Sequence, residues 1–320
     1  MTQPRKGKLE LMTQTHRPST PKTAIARLFL ASRPQSLVAA VAPVLVALAS
    51  AWRDLKESGG EFLIIPAICC LAFAIFAQIA TNFINDYADY RSGVDLDEPN
   101  GPIRALVEGW ITPRCALISG LASLGVASLF GLVTVFYGGW LILVVGLVSC
   151  AACVGYSYGP KPLSYIGLGD VAVVAFFGVT PVVFTYYLQT GTISWQMALV
   201  GLAVGFVCDN ILVANNYRDM EHDLEYGKRT LIAVLGERFG RYFYLFNGLA
   251  AIVALCVVFS LRPEVSILLA CVTVIIYGAL HLIAWRRLVA FHNSPELTRV
   301  YEMSARNLLV FALLTACVVL

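Results

Sequence analysis

The chain has 320 residues, of which 58% are hydrophobic and only 13% are charged, and its mean hydropathy is +0.74. This composition excludes an ordinary soluble domain, in which about 25% of residues are charged, and is typical of a protein that crosses the membrane many times. The net charge of +3 is small, but the charges are distributed unevenly along the chain.

The first 34 residues are polar and basic, which predicts a disordered cytoplasmic tail at 1–34 and a transmembrane domain at 35–320. A helix needs about 20 apolar residues to cross a membrane. Nine segments have this character and predict an all-α polytopic membrane protein with spans near 36–53, 62–86, 114–135, 139–158, 168–188, 194–218, 238–260, 264–285 and 303–320.

The basic residues predict the orientation of these spans. If the N-terminus and the connections after spans 2, 4, 6 and 8 share one side, that side holds 20 of the 23 Lys and Arg residues. The other side holds only Arg53, Lys56 and Arg262. Because short cytoplasmic loops carry an excess of basic residues, the first side is predicted to face the cytoplasm.

Two clusters of Asn and Asp stand at the cytoplasmic ends of spans 2 and 6. Several of their members are four residues apart and therefore share one helix face. Carboxylates near hydrocarbon are costly and repel one another unless a cation lies between them, and Mg²⁺ prefers such oxygen ligands. The alternative is that the acids merely solvate the helix ends. We predict two facing metal sites, with the ligands Asn85, Asp86, Asp89 and Asp95 in the first cluster and Asn215, Asp219 and Asp223 in the second.

Basic residues near the clusters predict a site for a diphosphate, and aromatic residues there could stabilise a cation. Arg binds phosphate oxygens by bidentate contact and Lys as a point charge, so we expect diphosphate contacts from Arg104, Lys161, Arg218, Lys228 and Arg229. Lys228 and Arg229 have the alternative role of setting the topology. Of Tyr156 and Tyr158, which end span 4, one is expected at the membrane interface and the other against the cation.

Two further acids lie at unusual positions. Asp209 is about 15 Å deeper than Asp219 along an unbroken helix, so it should face a cavity or a polar partner such as Asn82. The family resemblance described below implies an aromatic substrate, and Asn82 and Asp209 are candidates to contact it. Asp170 is expected to cap the start of span 5.

The loops that follow the clusters, 87–113 and 219–237, each contain a short apolar stretch and are expected to form short helices that cover a cytoplasmic cavity. Because spans 2 and 6 both end in a cluster, the chain is expected to contain two pseudo-repeated four-helix halves, 36–165 and 166–290, around a central cavity, with span 9 appended. Duplicated halves often place a site at their interface.

These motifs resemble those of the UbiA superfamily of intramembrane prenyltransferases. Its first motif matches Asn85-Asp86-Tyr-Ala-Asp89, and its second matches Asn215, Asp219 and Asp223. Within the superfamily, the chain is most similar to the menaquinone branch, which prenylates 1,4-dihydroxy-2-naphthoate. The residues that carry this closer resemblance are Asp95, Gly101-Pro102-Ile-Arg104, Thr112-Pro113-Arg114, Gly167-Leu-Gly-Asp170 and Gly227-Lys228-Arg229-Thr230-Leu231.

The resemblance implies a Mg²⁺-dependent enzyme of the cell (inner) membrane whose active site faces the cytoplasm. It would transfer the prenyl group of an all-trans polyprenyl diphosphate to 1,4-dihydroxy-2-naphthoate with decarboxylation, giving demethylmenaquinol for menaquinone biosynthesis. Asp89 and Asp219, with Tyr156 and Tyr158, would be catalytic. Other acceptors, such as homogentisate or 4-hydroxybenzoate, and a cation-coupled transporter remain alternatives. The expected partners are these substrates and the lipid bilayer, and no nucleic acid.

Overall fold

The structure is a computed structural model that describes residues 21, 23–94, 104–262, 265–291, 294 and 296–319. The regular elements in these ranges are helical, which confirms the predicted all-α fold. In chain order the α-helices are Ala24–Ala31 (α1), Leu37–Ser58 (α2), Ile64–Ser92 (α3), Pro113–Gly155 (α4), Gly169–Val174 (α5), Thr180–Thr190 (α6), Trp195–Arg218 (α7), Met220–Glu225 (α8), Leu231–Leu235 (α9), Glu237–Ser260 (α10), Ile267–Ala290 (α11) and Glu296–Val319 (α12). A π-helical turn at Ala175–Val179 joins α5 to α6.

Eight helical segments of the described chain are long and apolar enough to cross a membrane. One of them, α4, has 43 residues and a contour of about 65 Å, roughly twice the hydrocarbon thickness. Its backbone leaves the helical conformation at Gly139, where φ is 67° and ψ is −159°. Ser128 Oγ then lies 3.7 Å from Cys150 Sγ, whereas one straight helix would separate these residues by about 33 Å. Helix α4 is therefore a hairpin that holds both spans predicted at 114–135 and 139–158.

The bent span made by α5, the π turn and α6 packs against α7 with the backbones in contact. A β-carbon at Gly178 would lie 2.4 Å from the carbonyl oxygen of Gly201, and one at Gly205 would lie 2.9 Å from that of Val174. Small residues at such interfaces let membrane helices approach closely. Helices α10 and α12 also pack on α7, which places α7 at the centre of the molecule.

Of the two helices that carry the clusters, α3 is longer than predicted and α7 ends at its cluster. Helix α3 has 29 residues, or about 44 Å, and it continues past residue 86 to Ser92, so Asn85 and Asp89 lie on regular helix. Gly93, with φ of 86°, ends it in the left-handed conformation that favours glycine. Helix α7 ends at Arg218, and Asp219 is its C-terminal cap residue. Both clusters are thereby held at helix ends.

The described part of the predicted tail differs from a disordered segment. Residues 24–31 form α1, which begins where the Thr23 hydroxyl accepts a hydrogen bond from the Ala26 N–H. Ala31 is buried in a cluster with Phe83 and Tyr87 of α3. The apolar stretch of this helix is short and is flanked by polar residues, so the sequence pattern did not predict a helix there. Residues 1–20 lie outside the described ranges.

The two loops after the clusters differ from each other. Residues 105–109 form successive turns rather than the short helix that the sequence predicted, because Gly109 has a φ of 67° that interrupts regular helix. Leu106 and Ile111 are nevertheless buried against α3. In the second loop the predicted short helix is present as α9, and the Thr230 hydroxyl caps it by accepting from the Ala233 N–H.

Candidate active site

A cavity of about 690 Å³ lies among the spans. Asn85, Asp89, Asn215, Arg218 and Lys228 line it where α3 and α7 end. Most of the remaining wall is apolar and comes from α3, α4, the bent span and α7. A concave apolar site with a few convergent polar groups is the usual form of a small-molecule site.

The two clusters present the same local geometry. Asn85 Nδ2 donates to Asp89 Oδ2 at 3.1 Å, and Asn215 Nδ2 donates to Asp219 Oδ2 at 3.1 Å. In both pairs the residues are four apart, so the amide lies one turn before the carboxylate on the same helix face. The repeated pair agrees with the two pseudo-repeated halves that the sequence predicts.

Lys228 connects the two clusters. Its ammonium Nζ lies 3.3 Å from Asp223 Oδ1 and 3.9 Å from Asp89 Oδ2, and the side chain is buried. Burial raises the pKa of Asp223 to about 6, although the Lys228 charge opposes this shift. Burial also lowers the pKa of Lys228, but the carboxylates of Asp89 and Asp223 outweigh it and hold that pKa well above its usual value. Lys228 is therefore a permanent buried cation between the clusters.

Arg218 is paired within the second cluster. Its Nε and one terminal nitrogen each lie 2.6 Å from a different oxygen of Asp219, which is a bidentate contact, and the terminal nitrogen also donates to Asn215 Oδ1 at 3.0 Å. Arg218 is buried and lines the cavity, whereas Asp219 stands behind it. The guanidinium is thus fixed in orientation with its charge at the cavity wall.

Asp86 lies on a different face of α3 from Asp89. It is buried, it forms an ion pair with Arg33, and it lies 3.4 Å from Arg104 Nη1. One residue of offset turns a helical side chain by about 100°, so Asp86 cannot share the face of Asn85 and Asp89. Asp86 therefore holds two arginines at the cavity wall, which differs from its predicted role as a metal ligand.

The oxygen donors fit a divalent cation of the Mg²⁺ type. Asp223 Oδ2 is buried without a hydrogen-bond partner, and Asp89 faces Asp223 across Lys228. Carboxylate oxygens are the ligands that Mg²⁺ prefers. In the described ranges, however, no three His, Cys, Asp or Glu side chains meet as a ready metal site, because Lys228 and Arg218 occupy the carboxylates. Asp95 lies outside the described residues.

The structure distinguishes among the predicted cations and tyrosines. Tyr156 lines the cavity, whereas Tyr158 is 52% exposed and packs 6.2 Å from the ring of Tyr87. Lys161 and Arg229 are exposed and do not reach the cavity wall. Sequence spacing alone does not separate Lys228 from Arg229, since the two are adjacent and only the fold decides which one turns inward.

Of the two residues expected at an aromatic substrate, one lines the cavity. Asn82 does so while donating to the Ser32 carbonyl oxygen and to Ser36 Oγ, both at 2.8 Å. Asp209 is fully buried away from the cavity, and its Oδ2 accepts from Asn247 Nδ2 of α10 at 2.7 Å. The neighbouring Cys208 faces the cavity instead, because the two side chains differ by about 100° around α7.

Several polar contacts at the site are not apparent from the sequence. The Tyr165 hydroxyl donates to Asp89 Oδ1 at 3.0 Å, and burial followed by the Asp89 charge raises its pKa. Asn85 also donates to Ser157 Oγ at 3.1 Å. His222 Nε2 donates to the Val94 carbonyl oxygen, which ties α8 to the chain after α3. All three contacts join segments far apart in sequence, so no short-range sequence pattern predicts them.

Known proteins are similar to this chain in sequence. Residues 40–308 match the UbiA prenyltransferase family. The chain is 32% identical over 267 residues to the 1,4-dihydroxy-2-naphthoate octaprenyltransferase of Haemophilus influenzae, with 81% of this chain and 80% of that protein covered. It is 36% identical over 243 residues to the protein of the same name from Escherichia coli, with 72% and 76% covered.

Solved structures share the fold. A UbiA homolog from Archaeoglobus fulgidus bound to GPP and Mg²⁺ superposes with a TM-score of 0.64 at 15% identity, covering 92% of this chain and 100% of that one. The apo structure of a UbiA homolog from Aeropyrum pernix K1 superposes with a TM-score of 0.66 at 16% identity, covering 87% and 95%. At this level of identity the similarity concerns the arrangement of the helices.

Proposed function

The chain belongs to the UbiA prenyltransferase family, and we propose that it transfers a polyprenyl group from an all-trans polyprenyl diphosphate to 1,4-dihydroxy-2-naphthoate with loss of the carboxylate. The relatives from H. influenzae and E. coli, which bear the name of this activity, support the choice of acceptor. The product would be demethylmenaquinol, for menaquinone biosynthesis. The neighbour that binds GPP and Mg²⁺ supports the choice of donor class and cation.

The observation that carries this proposal is the buried Lys228 ammonium between Asp89 and Asp223, at one end of a mostly apolar cavity. A polyprenyl diphosphate has the matching distribution, with a dense negative charge at one end and hydrocarbon beyond it. Arg218, which faces the same end, adds a second fixed cation. We assign the diphosphate to Lys228 and Arg218, and the prenyl chain to the apolar wall.

In this mechanism the C–O bond to the diphosphate breaks first, and its electron pair leaves with the diphosphate. Arg218 and Lys228 bind the oxygens on which negative charge develops. Mg²⁺, held by Asp89, Asp219, Asp223 and the amides of Asn85 and Asn215, would supply further Lewis-acid neutralisation of that charge. The ring of Tyr156 faces the allyl cation and stabilises its positive charge, and the apolar wall excludes water that would otherwise capture it.

The acceptor ring then attacks the cation, and departure of its carboxylate as CO₂ restores aromaticity. Homogentisate and 4-hydroxybenzoate are alternative acceptors for the same site. A transporter is disfavoured because the clusters lie at helix ends, whereas the ion sites of transporters lie near the membrane midplane. The excess of basic residues on the cluster side supports an active site that faces the cytoplasm in a cell (inner) membrane.

Purified protein incubated with Mg²⁺, radiolabelled farnesyl diphosphate and each of the three aromatic acids tests the proposal. We expect prenylated product from 1,4-dihydroxy-2-naphthoate, release of CO₂, and loss of turnover on removal of divalent cations. Asp89→Ala and Asp219→Ala should each abolish turnover while the protein remains folded and inserted. Product from another acid and not from the naphthoate would overturn the acceptor assignment, and wild-type turnover in either variant would overturn the assignment of the clusters.

A further inference from the structure

Asp170 lies on the cavity wall and has no role in the mechanism described so far. It is in the first turn of α5, is 4% exposed and lines the cavity. Its Oδ1 atom is buried without a hydrogen-bond partner. It does not cap the helix as the sequence predicted, since Leu168 precedes α5 and no side chain caps that end.

A buried polar atom that lacks a partner is costly, so native proteins leave few of them. An ionisable side chain within a membrane span costs more and usually marks a functional site. Asp209 of α7 also has a buried Oδ1 without a partner, but Asp209 does not line the cavity, and its Oδ2 accepts from Asn247 of α10. Asp170 is therefore the acid that the cavity presents to a ligand at this depth.

The surroundings of Asp170 place it beside the reacting centre. A β-carbon at the adjacent Gly169 would lie 3.4 Å from the Tyr156 hydroxyl oxygen and 3.5 Å from Leu212 Cδ2 of α7. Tyr156, Asp170 and Asp89 all line the same cavity. Tyr156 thus lies next to the segment that carries Asp170, so a ring bound against Tyr156 is within reach of Asp170.

We propose that Asp170 binds a ring hydroxyl of the aromatic acceptor through its carboxyl group and so selects acceptors that carry this hydroxyl. The inference rests on the proposed function only in requiring a phenolic acceptor. A carboxyl group accepts a hydrogen bond from a hydroxyl but repels the acceptor's own carboxylate. In 1,4-dihydroxy-2-naphthoate the 1-hydroxyl is bonded internally to the adjacent carboxylate. The 4-hydroxyl, remote from it, is therefore the group that faces Asp170.

The test compares 1,4-dihydroxy-2-naphthoate with 1-hydroxy-2-naphthoate, which lacks the 4-hydroxyl, as ligands of the full-length protein in detergent. For each acid, the inhibition constant or KM is measured in wild type, Asp170→Asn, Asp170→Leu and Asp209→Asn. A site built to bind a hydroxyl discriminates strongly against an analogue that lacks it. We expect wild type to prefer the dihydroxy acid by about 10- to 150-fold, the range for a hydrogen bond to a charged group.

Asp170→Leu should lose this preference, and Asp170→Asn, which keeps a carbonyl acceptor, should retain part of it. Asp209→Asn should keep the wild-type preference, and farnesyl diphosphate should keep its KM in all variants. A preference that survives in Asp170→Leu would overturn the inference. An equal loss of affinity for both acids would also overturn it, because it would indicate that Asp170 stabilises the cation instead. If wild type turns over none of the aromatic acids, the proposed function itself is overturned. The wild-type measurement distinguishes this result from the two outcomes that overturn only the inference.

Discussion

Lys228→Met removes the buried charge that lies between the two clusters while keeping most of the apolar volume of the side chain. The ammonium lies 3.3 Å from Asp223 and 3.9 Å from Asp89, and Lys228 is 9% exposed, so solvent screens it little. A hydrogen bond to a charged group is worth about 1.5–3 kcal/mol. Loss of one such contact to the diphosphate should reduce kcat/KM for the prenyl diphosphate by about 10- to 150-fold.

Stability provides a second measurement on the same variant. Without Lys228, the buried carboxylates of Asp89 and Asp223 face each other uncompensated, and breaking a buried pair in this way costs about 3–5 kcal/mol. We expect a lower midpoint of thermal unfolding in detergent, and we expect Mg²⁺ to raise that midpoint more in Lys228→Met than in wild type, because the cation replaces the missing charge.

Lys161→Met is the matched control, since Lys161 is exposed on the same side of the predicted membrane and was expected from the sequence to bind the same diphosphate. It should change kcat/KM by less than about 2-fold and leave the unfolding midpoint unchanged. Equal kinetics in the two variants would refute the assignment of Lys228, and so would a Lys228→Met variant that Mg²⁺ does not stabilise further.

Three further predictions concern other parts of the molecule. Tyr156→Leu should lower kcat at least about 10-fold by removing the ring from the allyl cation, whereas Tyr158→Leu, at a half-exposed position, should have little effect on it. Gly139→Val should destabilise the fold by about 1–3 kcal/mol, because only glycine readily adopts the φ and ψ of this position. The control Gly125→Val should be tolerated, because Gly125 has open space around it and no positive φ. A reporter fused after residue 320 should be active only outside the cytoplasm, because the sequence predicts a cytoplasmic N-terminus and nine crossings; activity in the cytoplasm would refute the odd number of crossings.

Helix existence and the two clusters were predictable because both depend on short-range pattern. The apolar runs exceed the membrane thickness, and the spacing of four places Asn85 with Asp89 and Asn215 with Asp219 whatever the tertiary structure is. The hairpin at Gly139 was also predictable, since the chain must reverse direction between two adjacent membrane-spanning apolar segments.

The partners of the site residues were not predictable, because they depend on rotations of about 100° and on long-range contacts. Asp86 and Asp209 each stand one position from a residue that lines the cavity, and each bonds elsewhere, to Arg33 and to Asn247. The inward turn of Lys228 rather than Arg229 follows from the loop after α8, where Lys228 N–H donates to the Asp223 carbonyl oxygen at 2.7 Å. No periodicity in the sequence reports such a contact.

The glycine contacts of α7 divide the cavity wall into a stiff side and a compliant side. Helix α7 is held by backbone contact at Gly178, Gly201 and Gly205 and by α10 and α12 around it, so it cannot shift without opening packed backbone. The α4 hairpin has few buried side chains and packs chiefly on α3. The hairpin should therefore yield more readily than α7 to a long prenyl chain, and amide hydrogens should exchange more slowly in α7 than in α4.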